Sequence, residues 1–153
     1  MNPTLKNLIA TASILLATAT QAAFIPNAAG DEITDTTTGL IWKRCSEGQT
    51  WSAGTCTGTA LTFTHEQALQ RATIQAGAAG WRLPNVKELS SIVDASRTNP
   101  AIDTAAFPAT PSNWYWTSSP YAGGSDYAWV VSFDDGGVGD LSRYLTRRVR
   151  LVR

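Results

Sequence analysis

The chain has 153 residues, of which 43% are hydrophobic and 16% are charged, and its formal net charge is zero. This length suits one domain, the apolar content excludes an intrinsically disordered chain, and the neutral balance excludes a strongly basic nucleic-acid-binding protein. The two Cys and one His also exclude a multi-cysteine zinc site or an iron–sulfur cluster.

The first 22 residues have the pattern of a secretory signal peptide. Lys6 precedes an apolar run at 8–17, which is shorter than the about 20 residues that a membrane span needs. Small residues lead to Ala22 and Ala23, where cleavage is expected. The sequence therefore predicts export to the periplasm or the extracellular space, with no stable membrane insertion after cleavage.

The two cysteines, Cys45 and Cys56, enclose a short polar segment at 46–55. In an oxidising compartment this pair predicts a disulfide that closes the segment into a loop. The alternative is a nucleophilic cysteine, which would need a base, and His65 is the single histidine. Because His65 follows a helix-capping residue, we expect it to be a surface histidine rather than a catalytic one.

Polar residues dominate 23–37, which we interpret as an N-terminal tail. The folded domain is therefore expected at 38–153, beginning with a turn and a strand at 38–44.

Two helices are predicted by capping boxes, the first from Thr64 and Gln67 and the second from Asn85 and Glu88. Glycines at 77–80 end the first helix, and the dipeptide Asn99–Pro100 is expected to end the second.

From Trp114 onward the apolar period changes to two, which is typical of strands. The residues 134–137, two Asp and two Gly, predict a hairpin turn. Helices followed by a run of strands indicate an α+β fold. Strands are expected at 114–118, at 127–133, from Val138, and at 148–153, where the arginines are expected to face solvent.

Most of the six Trp residues are expected to fill the core. Trp42, Trp81 and Trp129 stand among apolar neighbours, and Trp114 and Trp116 share one face of a predicted strand. Stacking of the last two on a sugar ring remains an alternative.

Two charged features near the C-terminus invite a functional interpretation. Asp134, Asp135 and Asp140 lack the spacing of a calcium loop, so a turn is favoured over a metal site. Residues 143–153 contain five arginines and no acid. Arginines suit sulfate or carboxylate groups, although a charged solvent face that prevents edge aggregation is the alternative.

Five ordered segments resemble the C-terminal domain family of the Legionella collagen-like adhesin. The resemblance implies a C-type-lectin-like fold, akin to the formylglycine-generating enzyme, and binding of sulfated glycans by the named member. It covers about residues 31–153, and its motifs are TGLIW at 38–42, GWRLPNVKEL at 80–89, YWTSS at 115–119, AWVVSFDDG at 128–136 and VRLVR at 149–153.

The chain departs from these relatives in two ways. No Gly-X-Y repeats precede the domain, and no Cys follows Cys56, so the oxidase chemistry of the enzymatic relative is not supported. Residues 114–153 also resemble the variable region of diversity-generating retroelement target proteins, which use this fold.

We therefore predict an α+β, C-type-lectin-like domain in which two helices pack on a twisted antiparallel sheet. Its expected function is non-catalytic recognition of a glycan or a protein by loops near the C-terminus, without cofactor or metal. A structural subunit of a cell-envelope assembly and an envelope enzyme are the alternatives. The candidate binding residues are Asp126, Tyr127, Asp135, Asp140, Arg143 and Tyr144, with Arg147 and Arg148 added for a sulfated or acidic glycan.

Overall fold

Three antiparallel sheets and two helices form a small α+β domain. The computed structural model describes residues 23–153, so the predicted signal peptide at 1–22 lies outside the described residues. Within that part of the chain, neither helix has the length and apolar character needed to cross a bilayer. The strands are β1 (Phe24–Pro26), β2 (Glu32–Asp35), β3 (Ile41–Lys43), β4 (Thr50–Ser52), β5 (Thr55–Thr57), β6 (Trp114–Pro120), β7 (Tyr127–Ser132) and β8 (Val138–Ser142), and the helices are α1 (His65–Ala76) and α2 (Val86–Ser91).

The first sheet, in the order β1-β2-β3, corrects the prediction of an N-terminal tail at 23–37. Ile33 on β2 is buried and pairs with Trp42 on β3. Phe24 on β1 meets Phe107 edge to face, with ring centroids 5.1 Å apart. Apolar residues in this polar segment therefore anchor it to the core, and the domain includes these strands.

The second sheet is the β4–β5 hairpin, which occupies the segment predicted as a loop. The predicted disulfide between Cys45 and Cys56 is confirmed, with a Cα–Cα distance of 5.4 Å. Trp51 on β4 lies opposite Cys56 on β5. The disulfide therefore fixes the strand that faces Trp51.

Both predicted helix starts are confirmed, because Thr64 and Asn85 each form a capping box. The predicted end of α1 is also confirmed, since a short 3-10 helix at Gly77–Ala79 follows it. The predicted end of α2 is wrong. The helix stops at Ser91, because the Asp94 carboxylate accepts hydrogen bonds from the backbone and hydroxyl of Ser96 and so forms a turn instead.

The third sheet, β6-β7-β8, carries a hydrophobic cluster on each face. On one face Leu89 of α2 joins the cross-strand pair Tyr115 and Val131. On the other, Ala68 of α1 joins the pair Trp116 and Val130. The two helices thus cover opposite faces of one sheet, and the predicted hairpin turn connects β7 to β8.

Residues 147–153 connect the sheets rather than forming one regular strand. Val152 bridges both Trp42 and Arg82, and Arg148 bridges Tyr115. The expectation that the arginines of this segment face solvent is wrong for Arg150, which is fully buried. Its guanidinium can lie inside because backbone carbonyls and the Thr110 hydroxyl accept its hydrogen bonds in place of water.

Burial of the tryptophans matches the prediction in part. Trp42, Trp81 and Trp116 are buried. Trp114 and Trp129 are only half-buried, because Trp114 packs at the margin of the cluster under α1 and Trp129 packs on Tyr121, with ring centroids 5.2 Å apart.

Candidate binding site

A pocket of about 530 Å³ lies where the start of α1 meets the loops before β7 and after β8. Three predicted binding residues, Asp126, Arg143 and Tyr144, line it. They come from two loops that the sequence places 17 positions apart. We call this the α1 pocket, and its lining is Thr64, His65, Glu66, Leu69, Ser125, Asp126, Arg143 and Tyr144.

Backbone hydrogen bonds hold the three segments of the α1 pocket together. The His65 amide donates to the Arg143 carbonyl at 3.0 Å, and the Arg143 amide donates to the Asp126 carbonyl at 2.8 Å. Phe63 and Arg147 exchange two further bonds at 2.9 Å. The start of the helix is thus fixed against both loops before any ligand arrives.

The Arg143 side chain is oriented by one contact within the protein. Its Nε donates to the Tyr127 carbonyl at 3.0 Å, which leaves the terminal nitrogens as further donors. Tyr127 itself is exposed beside the pocket. Tyr144 is 76% exposed, so its ring offers apolar area and a hydroxyl at the pocket wall.

His65 is buried, with 2% of its surface exposed, so the prediction of a surface histidine is wrong. Nε2 hydrogen-bonds the Thr117 carbonyl at 2.9 Å, and the ring meets Trp116 edge to face at 5.1 Å. Because a carbonyl oxygen only accepts, Nε2 carries the proton and Nδ1 is the acceptor nitrogen of the neutral ring. Burial lowers the pKa of His65, the bond to Thr117 opposes this shift, and the charge of Arg143 adds to it.

The charges that line the α1 pocket are mixed. Glu66 and Asp126 contribute two carboxylates to the lining, and Arg143 contributes its one guanidinium. Together with the hydroxyls of Thr64 and Tyr144, these groups provide donors and acceptors around a partly apolar hollow. This arrangement can bind a ligand with many hydroxyl groups.

The other predicted residues lie elsewhere. Asp135 is in the β7–β8 turn, where the Gly137 amide donates to its carboxylate at 3.0 Å and holds the pKa of Asp135 below its usual value. Asp140 is on β8, opposite Trp129. Arg147 and Arg148 are half-buried beside Phe63 and Tyr115 respectively. None of these four residues lines the α1 pocket.

Sequence reasoning missed the contribution of α1 to the pocket. Thr64, His65, Glu66 and Leu69 line it, and the capping box was the one local signal that marked this position. The contact with Arg143 joins residues 78 positions apart, so no local pattern reveals it. Within residues 23–153, no group of three or more His, Cys, Asp or Glu side chains is arranged to hold a metal ion.

A family model described as the Lcl C-terminal domain matches residues 31–153. The chain belongs to the Lcl C-terminal domain family. This family is adhesin-related, and the match spans every residue of the α1 pocket as well as the disulfide. A search of curated proteins gives no match to this Lcl-type chain.

Proposed function

We propose that this chain is an exported binding module that recognises an uncharged glycan in the α1 pocket and does not transform it. The observation that carries this proposal is the convergence of Asp126, Arg143 and Tyr144 on the start of α1, around a volume of about 530 Å³. Membership of an adhesin-related family supports a binding role. The pocket is concave and combines apolar walls with a few polar groups, as ligand sites commonly do.

The charges of the pocket favour an uncharged ligand over a sulfated or acidic one. A sulfate group at Arg143 would also approach Glu66 and Asp126, and like charges within a few ångströms oppose binding. Arg147 and Arg148, which would be needed for a larger cationic surface, lie outside the pocket. Sugar hydroxyls can instead donate to the carboxylates and accept from Arg143.

The contacts of His65 support binding without catalysis. Its Nε2 bonds a backbone carbonyl, rather than the carboxylate that orients a catalytic histidine. The ring is almost fully buried. Its contacts are those of a residue that fixes the helix start.

Export and a C-type-lectin-like architecture complete the proposal. The signal-peptide pattern at 1–22, the disulfide and the adhesin-related family all support an exported chain. The two helices on opposite faces of an antiparallel sheet, with long loops between strands, are consistent with a lectin-like scaffold.

The experiment is binding of the oxidised protein to an array of neutral, sialylated and sulfated glycans. We expect a neutral glycan to bind, with a loss of about tenfold or more for Tyr144→Ala or Arg143→Ala, because truncated aromatic and arginine anchors have large effects. Arg147→Ala is the matched control and should bind normally. Binding to sulfated glycans that is lost on Arg147→Ala and kept on Tyr144→Ala would overturn the proposal.

A structural subunit is the second candidate, favoured by exposed apolar side chains on α1 and on the loops at 61 and 145. Ile74 on α1 is 73% exposed, and Leu61 and Leu145 are also exposed. This candidate predicts that a protein partner co-purifies with the chain, and that Ile74→Ser and Leu145→Ser release it while leaving the glycan array unchanged.

A further inference from the structure

We infer that the domain has a second saccharide site, in a cleft of about 390 Å³ between the β4–β5 hairpin and the turn that joins β1 to β2. We call it the hairpin cleft. Its ligand contacts would come from Trp51, Asp31, Glu32 and Lys43, and Trp81 also lines it. It shares no residue with the α1 pocket, so failure of either proposed site would leave the other untouched.

Trp51 is a rigid wall of the hairpin cleft. The guanidinium of Arg44 lies 4.2 Å from the centre of its ring. A Cβ added to Gly30 would lie 3.0 Å from the indole, so the ring packs closely on the turn. Because the opposite residue Cys56 is tied to Cys45, the strand cannot easily move. An indole fixed before binding loses little conformational entropy when a sugar ring packs against it.

Trp81 is held as firmly as Trp51. It is buried, and two cations lie against its ring, with Lys43 Nζ 5.4 Å and the Arg153 guanidinium 4.8 Å from the ring centre. Two indoles and the half-cystine Cys45 therefore line a hollow whose shape exists without a ligand. Trp81 is 6% exposed and shapes the hollow, whereas the half-buried Trp51 indole supplies the apolar surface against which the C–H face of a sugar ring gains free energy on burial.

The polar side chains of the hairpin cleft are oriented but keep unused hydrogen-bonding capacity. Asp31 Oδ1 accepts from Asn27 at 2.9 Å, and Glu32 Oε2 accepts from Arg153 at 2.7 Å. Each carboxylate has a second oxygen, and an ammonium such as that of Lys43 has three hydrogens to donate. The cleft therefore presents several acceptors and a donor to the hydroxyl groups of a ligand.

The charges of the hairpin cleft oppose an anionic ligand. Asp31 and Glu32 line it against a single cation, Lys43, and Lys43 Nζ already lies 3.2 Å from the Glu47 carboxylate. Glu32 is likewise paired with Arg153, at 2.7 Å, so a sulfate or uronate would find both cations already neutralised and would approach the Asp31 carboxylate. The chemistry thus fits an uncharged saccharide.

The hairpin cleft and the α1 pocket lie at opposite ends of α1. Lys43 receives its second hydrogen-bond partner from Gln75, in the last turn of the helix, at 2.9 Å. Glu66, in the first turn, lines the other pocket. A rise of about 1.5 Å per residue separates these two positions by about 14 Å along the axis. The two sites can therefore be filled at once, which would raise the avidity for a polymeric glycan.

The test is a titration of the oxidised protein with the methyl glycosides of glucose, galactose, mannose and N-acetylglucosamine, followed by NMR at the indole N–H signals. Trp51→Phe and Trp81→Phe assign the two relevant signals. We expect at least one glycoside to shift the Trp51 signal. No shift at Trp51 or Trp81 with any of the four would overturn the inference, whatever happens at Tyr144.

Variants separate the two sites. Asp31→Asn changes one exposed carboxylate and should weaken binding at the hairpin cleft by about tenfold, and Trp51→Ala should abolish it. The matched control is Asp134→Asn, an exposed aspartate in the β7–β8 turn, which should have no effect. Tyr144→Ala should leave the Trp51 shift intact. If a glycoside still shifted the Trp81 signal of the Trp51→Ala variant with unchanged affinity, the role of Trp51 would be contradicted.

The disulfide provides a further arm of the test. In the variant with both Cys45→Ser and Cys56→Ser the hairpin loses its cross-link, so glycoside affinity at the hairpin cleft should fall while binding at the α1 pocket is kept. Circular dichroism checks that this variant is folded, and equal losses at both sites in the folded variant would contradict the role of the cross-link in shaping the hairpin cleft. Sulfated glucosamine that shifts the Trp51 signal more strongly than the neutral glycosides would overturn the assignment of an uncharged ligand.

Discussion

At the scale of single residues, Arg150 is the least expected feature of the core. It is fully buried, and among residues 23–153 no carboxylate lies within salt-bridge distance of it. Its guanidinium donates to the carbonyls of Lys43 and Arg44 and to the Thr110 hydroxyl, and it lies 4.8 Å from the ring centre of Phe107. Burial lowers the pKa of Arg150 to about 10, so the group remains charged at neutral pH.

Replacing Arg150 tests whether the stability of the fold depends on the hydrogen bonds that it donates to these acceptors. Arg150→Met keeps much of the side-chain length but leaves two carbonyls and a hydroxyl without donors inside the protein. We expect the free energy of unfolding to fall by about 3 kcal/mol in urea titrations. Arg147→Met is the control, since its one side-chain hydrogen bond goes to the neighbouring Thr146 carbonyl. Similar losses in both variants would contradict the assignment.

His65 predicts a pH dependence of stability. Because the pKa of His65 in the folded protein is below the ordinary value of about 6.5, the unfolded chain binds a proton more readily. The stability from neutral His65 is therefore complete above about pH 6.5 and is lost as the pH falls through the lowered pKa. Urea midpoints measured at a series of pH values should decline in this window, before the carboxylates titrate.

His65→Gln is the control for that prediction, since glutamine can donate to Thr117 without titrating. The variant should show no decline between about pH 6.5 and the onset of carboxylate protonation. A decline identical to that of the unaltered protein would assign the effect to another group.

At the scale of elements, the capping boxes set where the helices begin. Asn85 Oδ1 accepts from the Glu88 amide at 3.0 Å, and Glu88 Oε2 accepts from the Asn85 amide at 2.8 Å. Arg82 holds the same carboxylate through two nitrogens. These bonds hold the pKa of Glu88 below its usual value, Arg82 being the largest cause.

Asn85→Ala should therefore destabilise α2. We expect a loss of about 1 kcal/mol in the free energy of unfolding, measured in urea near neutral pH. Asn85→Ser keeps a side-chain acceptor and should recover most of that loss. If the serine variant were as unstable as the alanine variant, the cap would not be the cause.

Elements whose signals are local were predictable from the sequence. The capping boxes, the cysteine pair and the 134–137 turn each depend on residues within a few positions of one another. The strands at 24–35, the burial of His65 and the burial of Arg150 were missed, since each depends on partners that are distant in sequence. Thr117, for example, follows His65 by 52 residues. The early end of α2 was missed because the apolar spacing of Leu89, Ile92 and Val93 continues past Ser91. The turn formed by Asp94 follows instead of a further helical turn.

The candidate site shows the same division. Asp126, Arg143 and Tyr144 were predicted because loops between strands display binding residues. Asp135 and Asp140 belong to the same region of sequence, but the hairpin carries them away from the α1 pocket. The sequence did not predict that the first turn of α1 lines the pocket, because a backbone hydrogen bond between the distant residues His65 and Arg143 brings it there.

At the scale of the whole molecule, the domain begins earlier than its sequence pattern indicated. Strands β1 and β2 complete the sheet that contains Trp42, which is fully buried. Phe24 and Ile33 pack in the same cluster. The core beneath α2 thus depends on residues that precede position 38.

A chain that begins at Thr38 should not fold cooperatively. Removing β1 and β2 exposes Trp42 and Phe107 and leaves one edge of β3 unpaired. Near-ultraviolet circular dichroism and thermal unfolding should lose their cooperative transition, whereas a chain that begins at Ala23 should keep it. A sharp transition in the shorter chain would show that β1 and β2 are dispensable.

The bridging segment at 147–153 also constrains when the domain can form. β3 and Arg82 exchange hydrogen bonds with this late segment, so these bonds cannot form until residues 147–153 have been synthesised. Until then one edge of β3 lacks its partner and the core around Trp42 is incomplete. If it is exported as proposed, such delayed closure would keep the domain threadable through a translocation channel until residues 147–153 had been made.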